Sequence, residues 1–353
     1  MKEVKKLIET MNLKKEIIQQ RYEIILLNNS RSKTRIINNQ PFEYSENNEF
    51  FSDEECSEIL DGLQSANFFV KPHFNEINFI LDTLNEAFYK NNKFVYNLSR
   101  NGNFIGKKSL IPAFCDLLSI PYTGSNALVT SFCRAKYMYT KYLELHGIRT
   151  PKSWVYTSDD QWLNHEKPNF GTRIVIKPLH ESASIGLDTS SICYFTKDTE
   201  NKFKESKKAS LLLQEFIDGY ECEVPLFIGD DIYVLDPVGI SMDNKKNLGS
   251  NIITYERSFT DDYDFYALNR VFSKSIINTI KESSKKAAIL LGLSNYGRID
   301  YRIDTKGTPY LMDIATSPYT TKHSSFAFAF KELDVDYEYI YSTIIALAYT
   351  QFK

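Results

Sequence analysis

Apolar residues recur with two different periods along the first 125 residues. Short apolar runs at residues 22–27 and 94–96 predict buried strands, whereas residues 75–89 repeat apolar side chains at helical spacing. Ser52 followed by Glu55 forms a capping-box pattern, which predicts a helix from there to about Leu63. Strands that alternate with helices in this way predict a parallel sheet covered by helices on both faces.

After residue 150 the pattern changes to short strands, which predict an antiparallel sheet with intervening helices in a second structural unit. The predicted strands are residues 154–156, 173–177, 211–214, 222–227 and 232–236. Residues 297–303 and 309–314 predict a strand pair around the turn at 304–307. Long helices are predicted at residues 127–145 and 265–291. Residues 243–264 are polar and aperiodic, which predicts a mobile loop.

The first 20 residues place apolar side chains at helical spacing among Lys and Glu. This pattern predicts an amphipathic helix that packs on the domain or on a second copy, with membrane-surface binding as the alternative. No uninterrupted apolar segment follows the charges, so a signal peptide is not expected. Apolar runs elsewhere fall short of the roughly 20 residues that span a bilayer, and we expect a soluble protein without a membrane partner.

The composition supports a globular protein and argues against nucleic-acid binding. The 353 residues carry 42 Lys plus Arg against 45 Asp plus Glu, a net charge of -3, so a basic footprint for a phosphate backbone is not expected. With 24 Phe and 23 Tyr the chain has enough apolar area for two or three packed subdomains. Five cysteines, an odd count without a CxxC pair, predict reduced thiols in a cytoplasmic protein rather than a zinc site or disulfides.

Two segments carry candidate phosphate and metal chemistry. Lys177 ends a predicted strand and is followed by small polar residues at 179–186, which suit phosphate oxygens; an ordinary surface turn with a solvated Lys is the alternative. Asp300 and Asp313 lie on the two strands of one predicted hairpin and could face the same side, as two carboxylates that bridge Mg²⁺ to phosphate do. Residues 214–221 form a strand-to-loop transition suited to a purine and a ribose.

These segments together resemble the ATP-grasp carboxylate–amine ligases, and within them the D-alanine:D-alanine ligases. The resemblance runs from about residue 97 to 326 and rests on four blocks in the same order. The blocks are IPYTGS at 120–125 with Lys136 eleven residues beyond, IKP through SIG at 176–186, FIDGYE at 216–221, and GRID at 297–300 with MDIATSPYTTKHS at 312–324.

The resemblance implies a fold and a domain division. The fold class would be α/β, becoming α+β in the C-terminal part: an ATP-grasp fold in which a parallel α/β subdomain precedes two α+β subdomains that clamp ATP. The expected units are an N-terminal helical extension at residues 1–20, a pre-ATP-grasp domain at 21–125 and an ATP-grasp domain at 126–353. That last domain would divide near residue 215 into a central and a C-terminal subdomain.

The resemblance also implies site residues and cofactors. Residues expected at ATP are Lys136, Lys177, Glu181, Gln214, Glu215, Phe216, Ile217, Glu221, Arg257 and Met312. The lysines would contact phosphates, the backbone of Glu215 and Ile217 adenine, and Glu221 the ribose. Expected catalytic residues are Ser184, Arg298, Tyr319 and Ser324, with Arg298 at the oxyanion and Ser324 at a substrate carboxylate. Asp300 and Asp313 would bind Mg²⁺, with Mn²⁺ as an alternative. Tyr255, Glu256 and Arg257 are the candidates on the mobile loop.

The sequence departs from the family pattern at the substrate and metal positions. Ala315 stands where the family has an Asn metal ligand, Asp313 where it has Glu, and Tyr319 where it has a Gly. Residues 97–106 replace the family's HG..GEDG stretch, and Arg100 there could serve a second carboxylate or a phosphate, or be a surface charge.

We therefore predict an ATP-dependent ligase that joins the carboxylate of an amino acid or small peptide to an amine through an acyl phosphate. Its partners would be these small molecules, and a homodimer is expected from the resemblance alone. D-Alanine is not the expected substrate. The alternatives are a nucleotide-binding pseudoenzyme or scaffold, and a D-alanine:D-alanine ligase with a remodelled first site.

Overall fold

The computed structural model describes residues 2–34, 36–37, 40–41, 49–85, 92–102, 105–180, 184–206 and 210–352. The helices are α1 (Lys2–Asn12), α2 (Lys15–Arg21), α3 (Asp53–Ser65), α4 (Glu76–Asn85), α5 (Leu110–Leu118), α6 (Ala127–Phe132), α7 (Lys136–Leu145), α8 (Lys197–Ser206), α9 (Tyr255–Phe259), α10 (Lys274–Leu291), α11 (Ser325–Glu332) and α12 (Tyr339–Gln351). The strands are β1 (Glu23–Asn28), β2 (Ile36–Ile37), β3 (Gln40–Pro41), β4 (Val70–His73), β5 (Lys93–Leu98), β6 (Ser153–Tyr156), β7 (Arg173–Pro178), β8 (Ile192–Tyr194), β9 (Leu211–Glu215), β10 (Gly219–Ile228), β11 (Ile232–Val234), β12 (Val238–Ser241), β13 (Asp264–Ala267), β14 (Asn295–Asp304) and β15 (Pro309–Ala315).

The first part of the chain forms the predicted parallel sheet, with β1 between β4 and β5. Successive residues of β1 alternate between two apolar clusters, because side chains along a strand point to opposite faces. Ile24 and Leu26 pack in the cluster that contains α12, whereas Ile25 and Leu27 pack in the cluster around α4 and α5. The prediction that helices cover both faces of this sheet is confirmed. The Ser52 and Glu55 capping box at the start of α3 is also present.

The amphipathic N-terminal helix packs on the rest of the same chain. Its apolar stripe, Val4, Leu7, Ile8 and Met11, is buried in the cluster that contains α12. Helix α12 is itself buried along its length, from Ile340 to Tyr349. The sequence predicted packing on the domain or on a second copy, and in the structure the stripe packs on the domain. No described helix has the length and apolar content to cross a membrane.

The prediction of one helix over residues 127–145 is wrong, because the chain breaks into α6 and α7. Ala135, with φ -81° and ψ 71°, interrupts the helical backbone immediately before Lys136. Nothing in the sequence at this point resembles a helix breaker. The flanking side chains give the physical reason, since Arg134 and Lys136 form ion pairs with Glu49 and Asp313. These contacts reorient the start of α7.

The helix predicted at residues 265–291 begins only at Lys274. Its first residues form β13 instead, which pairs antiparallel with β12 and buries Tyr266 and Ala267. Pairing with a neighbouring strand has overridden the helical spacing. The segment at 243–264, predicted as an irregular loop, contains the short helix α9.

The second part is antiparallel, as the sequence predicts, but it forms two sheets rather than one. One has the order β6-β9-β7-β8, and the other the order β13-β12-β10-β14-β15 with β11 also paired to β10. The turn between β14 and β15 is the predicted one, closed by the Gly307 N–H donating to the Asp304 carbonyl at 2.9 Å. All five cysteines are free of disulfides, as expected.

Candidate active site

A cleft between the two antiparallel sheets collects most of the predicted site residues. Its empty volume, including solvent at the mouth, is about 1220 Å³. Strand β7 and the end of β9 form one wall, and β10, β14 and β15 form the other. The predicted residues that line it are Lys136, Lys177, Ser184, Glu215, Phe216, Ile217, Glu221, Arg298, Asp300, Met312, Asp313 and Tyr319.

Lys136 and Lys177 place two ammonium groups in this cleft. Lys136 forms an ion pair with Asp313, but Lys177 makes no hydrogen bond or ion pair with any residue that the structure describes. Burial lowers the pKa of Lys177 to about 8, and the neighbouring Lys136 charge acts in the same direction. Asp313 and Glu221 offset this effect only in part, and a half-buried ammonium without a hydrogen bond is stabilised when an anion binds beside it. The pair therefore suits the phosphates of a nucleotide.

Asp300 and Asp313 face each other on adjacent strands, as the hairpin predicts. Burial raises the pKa of Asp313, but the charges of Lys136 and Lys177 outweigh it and bring the pKa to about 2. The Tyr139 hydroxyl also donates to Asp313 at 3.0 Å. This carboxylate is held ionised.

Arg298 binds one acid on its own strand β14 and one acid on the neighbouring strand β10. Its guanidinium donates to both carboxylate oxygens of Asp300 at 2.8 Å and lies 3.0 Å from Glu223. Burial raises the pKa of Asp300 to about 7 despite this pair, and the Glu223 charge adds to the rise. Burial lowers the pKa of Arg298, but the charges of Asp300 and Glu223 reverse the effect and raise it. The guanidinium is a permanent cation beside the metal candidates.

A bulge in β15 explains why neighbouring residues share this cleft. The register steps from Asp300 opposite Asp313 to Tyr301 opposite Leu311, which leaves Met312 as the extra residue. A bulge re-aims side chains that would otherwise alternate between faces. Met312 and Asp313 consequently both line the cleft.

The segment after β9 provides an aromatic wall. Phe216 lies between two guanidinium groups, with the Arg173 carbon 4.5 Å and the Arg302 carbon 5.0 Å from its ring centre. Arg302 also donates to the Ile217 carbonyl at 2.7 Å and lies 3.2 Å from a carboxylate oxygen of Glu221. Burial raises the pKa of Glu221, which Arg302 opposes. The segment is thereby held against the floor of the cleft.

Four predicted site residues remain, of which three do not line the cleft and one lies outside the described residues. Gln214 is buried beneath it and donates to the Ser153 hydroxyl at 3.1 Å. Arg257 pairs with Asp243 and Asp262 outside it. Their proposed roles at ATP stay predictions.

Ser324 is the third of these four residues. It caps α11, accepting from the Ala327 N–H and donating to the Thr321 carbonyl. Its role at a substrate carboxylate also stays a prediction. The fourth, Glu181, lies outside the described residues. Ser184 lines the cleft with a φ of 54°.

The donor set is compatible with Mg²⁺ held partly by a nucleotide. Among the residues that the structure describes, no group of three or more His, Cys, Asp or Glu side chains is arranged to hold a metal ion. Mg²⁺ usually keeps several waters and takes one or two carboxylates together with substrate phosphates. Asp300 and Asp313 would supply those two carboxylates, and Lys177 would supply a cation for the phosphates.

Sequence reasoning missed several residues of this region. Arg298, Asp300 and Arg302 lie two residues apart along β14, so the two-residue period of a strand predicts all three on the same face. Glu223, two residues beyond Glu221 on β10, is detectable by the same period. Glu49, Lys108 and Arg134 carry no local signal, because they come from separate segments that meet only in the folded chain.

Comparison with known proteins identifies the family. The family model described as D-ala D-ala ligase C-terminus matches residues 145–346. D-alanine–D-alanine ligase B of Clostridium perfringens is 27% identical over 257 residues, which cover 70% of this chain and 78% of the relative.

Solved structures agree at the level of the fold. D-alanine–D-alanine ligase from Bacillus anthracis, complexed with ATP, aligns with a TM-score of 0.66 at 18% identity, covering 94% of this chain and 98% of that one. The VanG D-Ala:D-Ser ligase from Enterococcus faecalis aligns with a TM-score of 0.62 at 15% identity, covering 95% and 100%. The chain therefore belongs to the D-alanine–D-alanine ligase family, and it is an ATP-grasp enzyme, an ATP-dependent ligase that forms a carbon–nitrogen bond.

Proposed function

We propose that the chain activates the carboxylate of an amino acid or small peptide with ATP and Mg²⁺ and joins it to an amine, and that D-alanine is not its preferred acid. The observation that carries the proposal is one cleft that unites the Lys177 ammonium, the Asp300 and Asp313 carboxylates and the Arg298 guanidinium. Cations for phosphate oxygens, two hard carboxylates and a permanent cation are what phosphoryl transfer to a carboxylate needs.

The proposed reaction has two steps. A carboxylate oxygen of the acid attacks the γ-phosphorus of ATP, the bond to the bridging oxygen breaks, and ADP leaves with the bonding electrons. The amine nitrogen then attacks the acyl carbon, the bond to phosphate breaks, and the nitrogen gives up a proton to water. Lys136 and Lys177 hold the phosphates, and Arg298 offsets the charge that develops on the acyl oxygen. Mg²⁺, held by Asp300 and Asp313, would neutralise phosphate charge.

The substrate part of the proposal rests on the segment at residues 97–106. Asn97, Ser99 and Arg100 are buried there, and no described side chain of this segment is acidic. A neutral and cationic wall is poorly suited to the ammonium group of a small neutral amino acid. D-Alanine–D-alanine ligation is the second candidate, because the curated relative from Clostridium perfringens is named for it.

The test measures ADP release with ATP and Mg²⁺ against single and paired amino acids, with mass analysis of the products. We expect release that requires both an acid and an amine, and that falls at least about 100-fold in Asp300→Asn. The matched control is Asp334→Asn, an exposed site with φ 55° that Asn tolerates. Turnover of D-alanine alone, at a rate above every other pair, would establish the second candidate instead.

A further inference from the structure

A second cavity adjoins the cleft on the side of the N-terminal layer. Its empty volume is about 700 Å³, and it shares Lys136, Arg298, Asp300, Asp313 and Tyr319 with the cleft. Its remaining wall includes Glu49, Arg100, Lys108, Arg134 and His180. A group bound here would therefore lie beside the residues proposed to activate the substrate carboxylate.

Most charged side chains that line the second cavity already have an ion-pair partner. Lys136 pairs with Asp313, and Arg298 pairs with Asp300. Glu49 forms ion pairs with Lys108 and, at 3.2 Å, with Arg134. Arg100 is different, since its guanidinium contacts no carboxylate among the described residues.

The hydrogen bonds of Arg100 leave one nitrogen over. Nε donates to the Leu98 carbonyl at 3.1 Å, and Nη1 donates to the Glu49 backbone carbonyl at 3.4 Å. Nη2 is buried, in a residue that is only 3% exposed, and has no hydrogen-bond partner among the described residues. A buried donor without an acceptor costs about 1–3 kcal/mol, and more when it is charged. The cavity that Arg100 lines is where an acceptor would fit.

Two aromatic rings fix the direction of the guanidinium. The Arg100 carbon lies 4.0 Å from the ring centre of Phe51 and 5.0 Å from that of Tyr319. Stacking of this kind orients the planar fork of an Arg for an oxyanion. Tyr319 also lines the nucleotide cleft, so it connects Arg100 to the reacting end of the site.

Lys108 adds a second cation, which shares the single carboxylate of Glu49 with Arg134. Burial lowers its pKa to about 7 although Glu49 raises it, and the nearby charges of Arg100 and Arg134 lower it further. The ammonium thus lies in a surplus of positive charge among the described residues. A bound anion would relieve that surplus and hold Lys108 protonated.

We propose that this cavity receives a second carboxylate of the acid substrate, so that the compound activated by ATP is a dicarboxylic amino acid or a peptide carrying one. The inference rests on the proposed ligase function and names its substrate class. Arg100 and Lys108 bind the second carboxylate, while the first carboxylate reaches the phosphate between Arg298 and the metal carboxylates. The same wall selects against acids with an apolar side chain, which leave Arg100 Nη2 unsatisfied, and against amides, which lack the negative charge that the two cations bind.

The test compares aspartate and glutamate with asparagine and glutamine, each as both enantiomers, in the ADP-release assay. The amides match the acids in shape but lack the charge and replace one acceptor oxygen with an NH2 donor. We expect kcat/KM at least about tenfold higher for one acid than for its amide. Arg100→Gln should lower kcat/KM for that acid about 10- to 100-fold and that for the amide less than about threefold. Arg149→Gln, an exposed Arg outside both cavities, is the matched control.

Binding measurements separate failure of this inference from failure of the ligase proposal. Calorimetric titration of aspartate and glutamate into the protein with a non-hydrolysable ATP analogue needs no turnover. Acid binding that Arg100→Gln and Lys108→Met weaken, with analogue affinity unchanged, supports the inference even if no pair reacts. A preference for amides, or an equal loss for acid and amide in Arg100→Gln, overturns it.

Discussion

Lys136 and Lys177 differ in their effect on the stability of the folded protein. Lys136 forms an ion pair with Asp313, whereas the half-buried Lys177 makes no hydrogen bond or ion pair with a described residue. Lys136 therefore stabilises the fold, whereas Lys177 is available to bind an anionic ligand.

We accordingly expect opposite effects from the same substitution at these two positions. Lys177→Met should leave the melting temperature of the nucleotide-free protein unchanged or higher, and weaken ATP binding about 10- to 100-fold, through loss of a charge-assisted hydrogen bond. Lys136→Met should lower the melting temperature, because it removes the ion pair of Asp313 and leaves that carboxylate with its hydrogen bonds from Tyr139 and Ile314. Thermal unfolding with and without ATP and Mg²⁺ measures both. A lower melting temperature for nucleotide-free Lys177→Met would contradict the prediction.

At the residue scale, sequence motifs predicted the cleft better than its surroundings. Twelve of the predicted side chains share one cavity, because the motif residues lie on strands that must be neighbours. Gln214 and Ser324 lie close to the site in sequence, but their side chains turn to Ser153 and to the cap of α11. Arg100 was recognised as a charge, but its unsatisfied nitrogen depends on Phe51 and Tyr319, which only the fold brings to it.

Among the elements, the start of β10 connects the aromatic wall to Glu221. Gly219 there has φ 144°, and an added Cβ would lie 2.0 Å from the Ile303 carbonyl oxygen. The neighbouring strand β14 therefore requires a residue without a side chain at this point.

Gly219→Ala should be strongly destabilising for that reason. We expect a loss of about 3 kcal/mol or more, from the strained backbone plus displacement of β14. Gly171→Ala is the matched control, since its φ of 86° is also strained but nothing lies within 4 Å of an added Cβ. Its expected cost is about 1 kcal/mol. Urea unfolding followed by circular dichroism compares the two, and equal losses would refute the steric argument.

His323 links the segment after α9 to the start of α11. Its Nδ1 lies 3.2 Å from Asp261, and its Nε2 lies 2.9 Å from the Tyr263 carbonyl, so both nitrogens face acceptors. Burial lowers the pKa of His323, but Asp261 and the Tyr263 carbonyl outweigh it and raise the pKa above its usual value. The contact is therefore strongest with the protonated ring.

The sign of the pH dependence follows from this raised pKa. Stability from the pair is fully present below the unfolded pKa of His and is lost as pH rises through the folded one. We expect the wild type to melt up to about 2 °C above His323→Gln near pH 6, since partly exposed pairs contribute little. The difference should vanish by about pH 9. A difference that grows with pH would show that the ring is bound neutral.

Element prediction failed where contacts between distant segments override local spacing. The break before α7 and the late start of α10 both have apolar residues at helical intervals, yet ion pairs and strand pairing decide the backbone. The β14 and β15 hairpin was predicted correctly because its turn and its strands carry local signals. The sequence predicts a helix or strand correctly when the residues that determine it lie within that element.

For the whole molecule, the largest apolar cluster joins the two ends of the chain. Ile8 on α1 is 3% exposed and packs in the cluster that contains α12. Loss of its side chain leaves a cavity between the N-terminal layer and the C-terminal helices.

Ile8→Ala should therefore destabilise the protein by about 2–4 kcal/mol without changing ATP affinity. Lys6→Ala, on the exposed face of the same helix, should change stability by less than about 0.5 kcal/mol. Denaturant unfolding and ATP titration of both variants provide the measurement. Equal stability of the two variants would mean that the contact between α1 and α12 contributes nothing.

The burial of α12 also sets an order in time. During synthesis α12 leaves the ribosome after every other described element, yet α1, α2, α3, α11 and β14 all contact it. Until it emerges, the apolar stripe of α1 lacks its most extensive partner, although α1 also contacts β11, and more than 300 residues separate α1 from α12. The N-terminal layer can therefore be completed only after the C-terminal helix has been translated. Before that point the nascent chain exposes apolar surface that chaperones would protect from aggregation.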